Sequence, residues 1–586
     1  MATRLSTKQL IKGVDYIEYD SPDDNGNIVE CNHCHAKLKN ASYMKYQHGA
    51  FCPGIKKQGI DIRRLLTSSV GTKSGDEVQK LRQVVRCICE NCISLNATQS
   101  KSFREATNSS YAYETIRNEI IRYADSLKEH TRCMIRNKFV SIVIDGATIT
   151  TSGWYCVGIA TATNIYYYDC YHLASGTTRC ITEQLETVIK EIEEKSGAIV
   201  VGACSDNASN VTNVFDPSCP DSLITIYDRK IIRVSCQAHT ANLVLASYER
   251  NDPSFGRLRS RIRGFARELH SSNIHELLGI RTRCPPIREQ RWFTDYIALD
   301  WICKNEEKLR DGFNNIKHLL TIKTVPIKPS WFELRDALAP LYFFTTMVEG
   351  NMVPLGKGFK LLVAMKMKLA SLSNSGNQFA KDLLAIVDTR WSTTAEEPMM
   401  KLANFIRKDS LYQWREKYNS AKLYADGPLA TSEQISAKDA LDNEVIYIQE
   451  LTVHYGELLG YDFSDSLEEI KFLIHTANPK YSISIFDHWF GVAHAKKKVC
   501  EHAEAENITL NEDKVQDVAM FYCKMLSLPS TEAYCERVFK NMRELFDFNR
   551  KQCSDDLIKA QTIIKMNILM EKENFAYVDD LEIDVN

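Results

Sequence analysis

No run of about 18 apolar residues, the length a membrane-spanning helix needs, occurs anywhere in the 586-residue chain, so no membrane partner is expected. The first residues, MATRLSTKQLIKGVDYIEYD, lack the roughly 7–15-residue apolar stretch of a secretory signal, which predicts a protein not exported by that route. An excess of one charge is missing too. The 73 basic residues face 75 acidic ones for a net charge of −2, so this is not a histone-like chain coated in positive charge. At 44% hydrophobic and 25% charged, the composition excludes wholesale disorder, collagen and a coiled-coil rod. At roughly 100–200 residues per domain, the length predicts about three to five structural units. The 19 cysteines are odd in number and mostly scattered, and without an export signal they point to a reducing compartment. Clustered cysteines then read as metal ligands before disulfides.

Charge is uneven locally. Residues 37–86 carry Lys37, Lys39, Lys45, Lys56, Lys57, Arg63, Arg64, Lys73, Lys80, Arg82 and Arg86 against Asp61, Asp76 and Glu77. Residues 257–291 carry nine arginines against Glu268, Glu276 and Glu289, whereas the last eight residues hold four acids and no base. Basic stretches of this size suit a phosphate backbone; a solvated face is the competing reading.

The first chemical motif is CNHCHAKLKNASYMKYQHGAFC. Cys31 and Cys34 form a knuckle, and His48 and Cys52 stand four residues apart, one face of a helix. Two thiolates and a His/Cys pair converge on tetrahedral Zn²⁺, which folds a segment too small to bury a core of its own. His33 and His35 compete for a ligand position. With its basic run, this spacing resembles a BED-type zinc finger, a DNA-binding module found in transposases and chromatin proteins. A second cluster, Cys87-x-Cys89-x2-Cys92, has no matching pair nearby and reads as buried thiols.

Beyond a helical stretch from about 100 to 135, three segments read as strands: 138–145, 154–162 and 165–172. They are rich in Val, Ile, Tyr and Thr and broken by Gly146, Gly153 and Asn164. Ile181, Leu185, Val188, Ile189 and Ile192 then recur at helical spacing, with Gly197 as the stop. A strand ending in Asp206 and another at 231–236 follow. The order β-β-β-α-β-α-β, with Asp145 and Asp206 closing the first and fourth strands, predicts an RNase H-like α/β domain. Two such carboxylates can hold divalent cations that activate an attacking oxygen and stabilise the leaving one on phosphorus. Mg²⁺ and Mn²⁺ suit these hard oxygen ligands. Taken alone, an Asp ending an apolar strand is more often a turn or helix cap.

Five segments together are similar to the hAT superfamily of DNA transposases. IDGATITTSGWYCVGIATATN resembles its first-aspartate region and GACSDNASNVTNVF its second. VSCQAHTANLVLAS resembles its Cys-x-x-His turn, REQRWFTDYIAL its Arg-Trp segment, and LPSTEAYCERVFKNMRELFDFNRKQCSDDLIKAQTIIKMN its C-terminal signature. The likeness spans roughly 30–575. Residue by residue, it implies that Asp145, Asp206 and Glu536 hold the Mg²⁺ or Mn²⁺ of the catalytic centre. Glu532, four residues earlier and read as sharing a helix face with Glu536, is the rival for the third place. Asp169 and Asp216 are expected to be loop acids. Ala147 and Lys540 depart from the family's usual aromatic and Ser without removing a carboxylate.

The resemblance further implies DNA contacts by Cys236 and His239, and by Arg291 with Trp292, which stacks on an unpaired base. In the finger and its basic run, Lys37, Lys39, Lys45, Lys56, Lys57, Arg63 and Arg64 are the expected DNA-binding residues. The domains expected are a tail (1–27), the finger (28–60), a basic linker and helical dimerisation segment (61–134), the first part of the catalytic domain (135–250), an all-helical insertion (251–515), the second catalytic part with a dimerisation region (516–575), and an acidic tail (576–586). The apolar residues Val518, Met520, Phe521, Met525, Leu526, Val538 and Phe539 serve either subunit association or the domain's own core.

The expected protein is therefore a nuclear cut-and-paste transposase. Its partners are double-stranded DNA, as terminal inverted repeats and target, and further copies of itself. It would cleave element ends with a hairpin on the flanking DNA and join the element's 3′-OH to target. A DNA-binding transcriptional or chromatin regulator that has kept the fold without catalysis is the alternative.

Overall fold

The computed structural model describes residues 16–20, 27–31, 37–38 and 75–573, except 150–151, 272, 289–292, 352, 394–395, 427–430, 478–483 and 548–553. Near the N-terminus, β1 (Tyr16–Asp20), β2 (Asn27–Cys31) and β3 (Lys37–Leu38) form an antiparallel sheet in which Tyr16 pairs with Cys31 and Val29 with Leu38.

Two amphipathic helices follow. α1 (Gly75–Glu90) buries Leu81, Val84, Val85, Ile88 and Cys89, a spacing of three and four residues that lines one side of a helix. α2 (Tyr113–Met134) does the same with Ile116, Ile120, Tyr123 and Ala124. Arg82 donates to Glu119 at 3.0 Å and Arg86 to the Tyr123 hydroxyl at 3.0 Å. The last two basic residues of the 37–86 stretch therefore tie one helix to the other. Of the cysteine cluster read as buried thiols, Cys89 and Cys92 are buried, whereas Cys87 is half-exposed.

The central sheet has β4 (Phe139–Ile149), β5 (Ser152–Ala160), β6 (Ile165–Leu173), β7 (Ile199–Ser205) and β8 (Ile232–Ser235), in the spatial order β6-β5-β4-β7-β8. β4, β5 and β6 are antiparallel, while β7 runs parallel to β4 and β8 parallel to β7. Side chains alternate between faces. Val140, Ile142 and Ile144 pack with Ile181, Leu185, Val188, Ile189 and Ile192 of α3 (Thr178–Ser196), which joins β6 to β7. Gly197 ends α3 at φ 68°, a left-handed turn that glycine adopts without strain. Sequence and structure agree here in both period and stop.

They differ at the end of the first strand. β4 continues four residues past Asp145, pairing Asp145 with Cys156 and Ile149 with Ser152. Gly146 was read as a breaker, yet it sits inside the strand: a Cβ there would press on the Tyr155 ring at 3.0 Å, so its bareness serves close packing. Asp206 does follow its strand directly.

From α4 (Gln237–Asn251) and α5 (Pro253–Ser271) onward, every described element up to residue 547 is helical. This matches the expected all-helical block. Among these helices are α6 (Pro329–Asn351), α7 (Leu355–Asn374), α8 (Gln378–Thr393) and α9 (Glu512–Met525). Several contacts fasten the block to the sheet domain, among them the following. Trp391 Nε1 donates to the buried Gln237 Oε1 at 2.7 Å. Pro354 bridges Pro529, with Leu355 N donating to Leu528 O at 3.0 Å. The chain then returns to the sheet as α10 (Ala533–Asp547) and α11 (Asp555–Glu573).

Val85, Ile88, Ile116 and Ile120 share one core with Val143, Cys156, Tyr167, Val538, Phe539, Ile558 and Ile564. The helices that precede the sheet and those that end the chain thus cover the same sheet face. Of that apolar set, Val518, Phe521, Met525, Leu526, Val538 and Phe539 are buried within this one chain and pack its own core, while Met520 is half-buried. The described chain is a mixed α/β structure in which one five-stranded sheet is embedded in helices.

Candidate active site

Strand register assembles the site. The last parallel pairs are Val143 with Cys204 between β4 and β7, and Ser205 with Ser235 between β7 and β8. Asp145, Asp206 and Cys236 therefore stand one after another across three adjacent strands, where the parallel ladder runs out. Asp145 Oδ1 accepts from Gly146 N at 2.7 Å. Asp206 Oδ1 accepts from Ala208 N at 3.2 Å, turning the chain into the short helix Ser209–Phe215. Arg233 on β8 locks that turn, donating to Asp206 O at 2.6 Å, Asn207 Oδ1 at 2.9 Å and Ser205 Oγ at 3.0 Å.

α10 brings the third acid. Its buried face is Tyr534, Cys535, Val538, Phe539, Met542 and Leu545. Cys535 Sγ lies 3.7 Å from Val143 O and 3.9 Å from Cys156 O, which sets the helix against β4 and β5. Glu536, Lys540 and Arg543 fall on the opposite, exposed strip at i, i+4 and i+7.

The three acids feel one another. Burial pushes the Asp145 carboxyl up to about 7, and the negative charges of Asp206 and Glu536 add to the rise against the Gly146 N–H and Arg543. A half-buried carboxylate under that repulsion is the donor set that hard divalent cations relieve. Among the described residues, no three of His, Cys, Asp or Glu stand close enough together, as placed, to enclose a metal ion. Like charges oppose closer approach, and the donor chemistry fits Mg²⁺ or Mn²⁺.

Glu532 does not share a helix face with Glu536, contrary to the sequence reading. α10 begins at Ala533, and Glu532 lies in the non-helical segment that follows the bridge at Pro529. Glu532 is 5% exposed and packs against Cys236, whereas Glu536 is exposed.

Glu536 lines an open groove of about 310 Å³ with Phe293, Tyr342, Thr345, Arg537 and Lys540. A second groove, of about 330 Å³, is lined by Asp206 with Tyr155, Asn210 and Gly176. Glu536 and Asp206 thus each face a groove of their own.

Other expected site residues fare differently. Cys236 is 1% exposed, so the expected DNA contact does not hold for it. Instead its sulfur accepts from His239 N at 3.3 Å, capping α4, and lies 3.4 Å from Thr531 Oγ1. The Cys-x-x-His spacing is thereby a helix start, with His239 partly exposed on the first turn. Asp169 is no loop acid. It stands within β6 and pairs with Lys128 at 2.6 Å. Asp216 does lie in a turn, accepting from Ser218 N at 2.9 Å. In the arginine-rich 257–291 stretch, Arg259 and Arg263 both pair with Asp295, at 2.7 and 2.9 Å.

Of the finger, Cys31 ends β2 and Lys37 opens β3. Cys34, His48, Cys52, Lys39, Lys45, Lys56, Lys57, Arg63 and Arg64 lie outside the described residues, as do Arg291 and Trp292. Arg233, Tyr155, Asn210 and Tyr342 were missed by sequence reasoning, since nothing in their own neighbourhood marks them. Lys540 and Arg543 were legible as the i+4 and i+7 neighbours of Glu536. No protein-family model matches the chain, and no curated protein matches it.

Proposed function

We propose that the protein is a cut-and-paste DNA transposase of the hAT type, with an RNase H-like catalytic domain and an N-terminal BED-type zinc finger. One observation carries the reading. Asp145 and Asp206 are neighbours across parallel strands, and the charge of Glu536, on a helix that returns after a long helical block, is felt at Asp145. The order β6-β5-β4-β7-β8, with only β5 antiparallel to both of its neighbours, supports the RNase H-like reading.

Asp145, Asp206 and Glu536 would hold Mg²⁺ or Mn²⁺, which when bound activates an oxygen nucleophile and stabilises the oxygen leaving phosphorus. The chain's own contribution is placement. Arg233 holds the Asp206 turn, the Gly146 N–H orients Asp145, and the buried face of α10 fixes Glu536. Lys540, on the same groove wall as Glu536, offers a cation to a phosphate oxygen. Water and a sugar hydroxyl are equivalent nucleophiles for in-line displacement, so one site serves hydrolysis, hairpin formation and strand joining. The zinc finger, with Cys31, Cys34, His48 and Cys52 as ligands, would grip element ends in the nucleus, and the enzyme would act as a dimer or larger assembly.

The test is a denaturing gel of labelled DNA from the gene's own flanks, incubated with Mg²⁺ or Mn²⁺ and either wild type or Glu536→Gln. Nicks that mature into hairpins with wild type alone, at equal DNA affinity, are expected. Cleavage by Glu536→Gln would overturn the assignment. Tight binding of inverted repeats without breakage by either protein would favour the non-catalytic regulator.

A further inference from the structure

We propose that the strap 280–288 is a contact for the phosphate backbone of duplex DNA beside the Glu536 groove; the inference deepens the transposase reading and takes its partner from it. Between Glu276 and Glu289 the sequence holds three arginines, no acid and no aromatic ring. The strap is not helical, and its backbone is pinned along its length. Ile280 N donates to His275 O at 2.7 Å, and Trp301 Nε1 to Thr282 O at 3.2 Å. His270 Nδ1 donates to Cys284 O at 2.7 Å, and Arg288 N to Thr294 Oγ1 at 3.0 Å. Ile280 and Cys284 are buried, whereas Arg281, Arg283 and Arg288 are exposed. Thr294 follows Phe293, which opens the helix Phe293–Lys304 and lines the groove with Glu536, Arg537 and Lys540. The strap is thus tied to the groove wall.

These arginines differ from others of the chain in what surrounds them. Arg259 and Arg263, in the same basic run, are neutralised by Asp295, and Arg229 by Glu186 and Glu193. Among the described residues no carboxylate pairs with Arg281, Arg283 or Arg288, and Arg283 donates to the neutral Asn273 Oδ1 at 2.6 Å. A merely solvated surface interleaves charges of both signs; here a fixed backbone holds three cations without a counter-charge. Guanidinium forks match phosphate oxygens, and those on a pinned backbone lose little freedom when they bind. The acids of the site repel a polyanion, and cations at the groove's edge offset that repulsion and steer DNA inward. Without an aromatic ring the strap has nothing to stack on an unpaired base, so it grips the backbone and reads no sequence.

The test is fluorescence anisotropy of the full chain on a labelled duplex from the gene's own flanks, repeated across a salt series. The triple variant Arg281→Gln, Arg283→Gln, Arg288→Gln should lower the slope of log affinity against log salt by about 2–3 and weaken binding at least about tenfold. The loss should be equal on a scrambled duplex, and the corresponding triple Arg→Lys variant should keep the wild-type slope, since the charges remain. The control replaces the exposed Lys101, Lys368 and Lys497 together by Gln. A Gln-triple slope that superimposes on wild type would overturn the strap, as would an equal fall in the control. A loss seen on single-stranded RNA and not on the duplex would overturn DNA as its partner. A lowered slope in a chain that cuts no DNA would keep the strap and overturn the transposase reading, and a wild type that binds no DNA would overturn both. Should the triple fail to fold, the single variants decide: each should lower the slope by about one, and unchanged slopes remove the proposal.

Discussion

Asp145 and Asp206 are held side by side by strand register, each two residues beyond the last bonded pair of β4 and β7, Val143 with Cys204. The sheet forces two carboxyls together at a point where Gly146 and Ala208 N–H groups each satisfy only one oxygen.

That proximity has a pH signature. The Asp145 carboxyl sits at about 7 in the folded chain against 3.8 ordinarily, so the native state holds this proton more tightly than the unfolded state. The Asp145 contribution to stability therefore falls as pH rises from about 4 to about 7 and stays lost above. In EDTA, wild type should show a falling Tm across this window. Asp145→Asn should flatten the fall and raise Tm at pH 8, by about 1 °C for each kcal/mol relieved in a chain of this length. A wild-type Tm independent of pH between 4 and 7 would show that the carboxyls do not repel as placed.

Gly202 tests how β7 meets the segment returning to the site. A Cβ at Gly202 would lie 2.2 Å from Leu528 Cδ2 and 2.8 Å from Ser141 Oγ, all in buried surroundings. Gly202→Ala should destabilise by about 1–3 kcal/mol through overpacking. Leu528→Ala alone should cost about 2–5 kcal/mol by leaving a cavity. Thermal unfolding of the double variant should show a loss smaller than the sum, because the two changes occupy one space. Strict additivity would mean that the contact is not made.

The helices before the sheet are part of its core. Ile88, Ile116 and Ile120 pack with Val538, Phe539 and Ile564, and Lys565 Nζ reaches Cys92 Sγ at 2.9 Å and Glu544 at 2.6 Å. A fragment beginning at residue 75 should run as a single soluble species in gel filtration. One beginning at residue 135 exposes that apolar face and should aggregate. A well-folded monomer from the shorter fragment would contradict the shared core.

The finger is tested by metal content. Purified chain should carry one zinc, measured by atomic emission, and Cys34→Ser should remove it together with salt-dependent DNA binding. Wild type without zinc would remove the finger from the proposed function.

The sequence by itself determined the local elements. The 181/185/188/189/192 pattern and Gly197 define α3, and the β-branched runs define the strands, because period and turn chemistry are properties of neighbouring residues. The motifs also marked Asp145, Asp206 and Glu536. Tertiary structure alone decided the rest. β4 runs past Asp145 because β5 continues to bond it after β7 has stopped. Cys236 became a helix cap beneath the site, and Glu532 lies just ahead of α10, which begins at Ala533, so it falls outside the helix that carries Glu536. Two acids four residues apart look equivalent on a regular helix; contacts with residues distant in sequence, at Cys236–Gln237 and Val353–Leu355, hold the segment that places one inside the protein and the other at its surface.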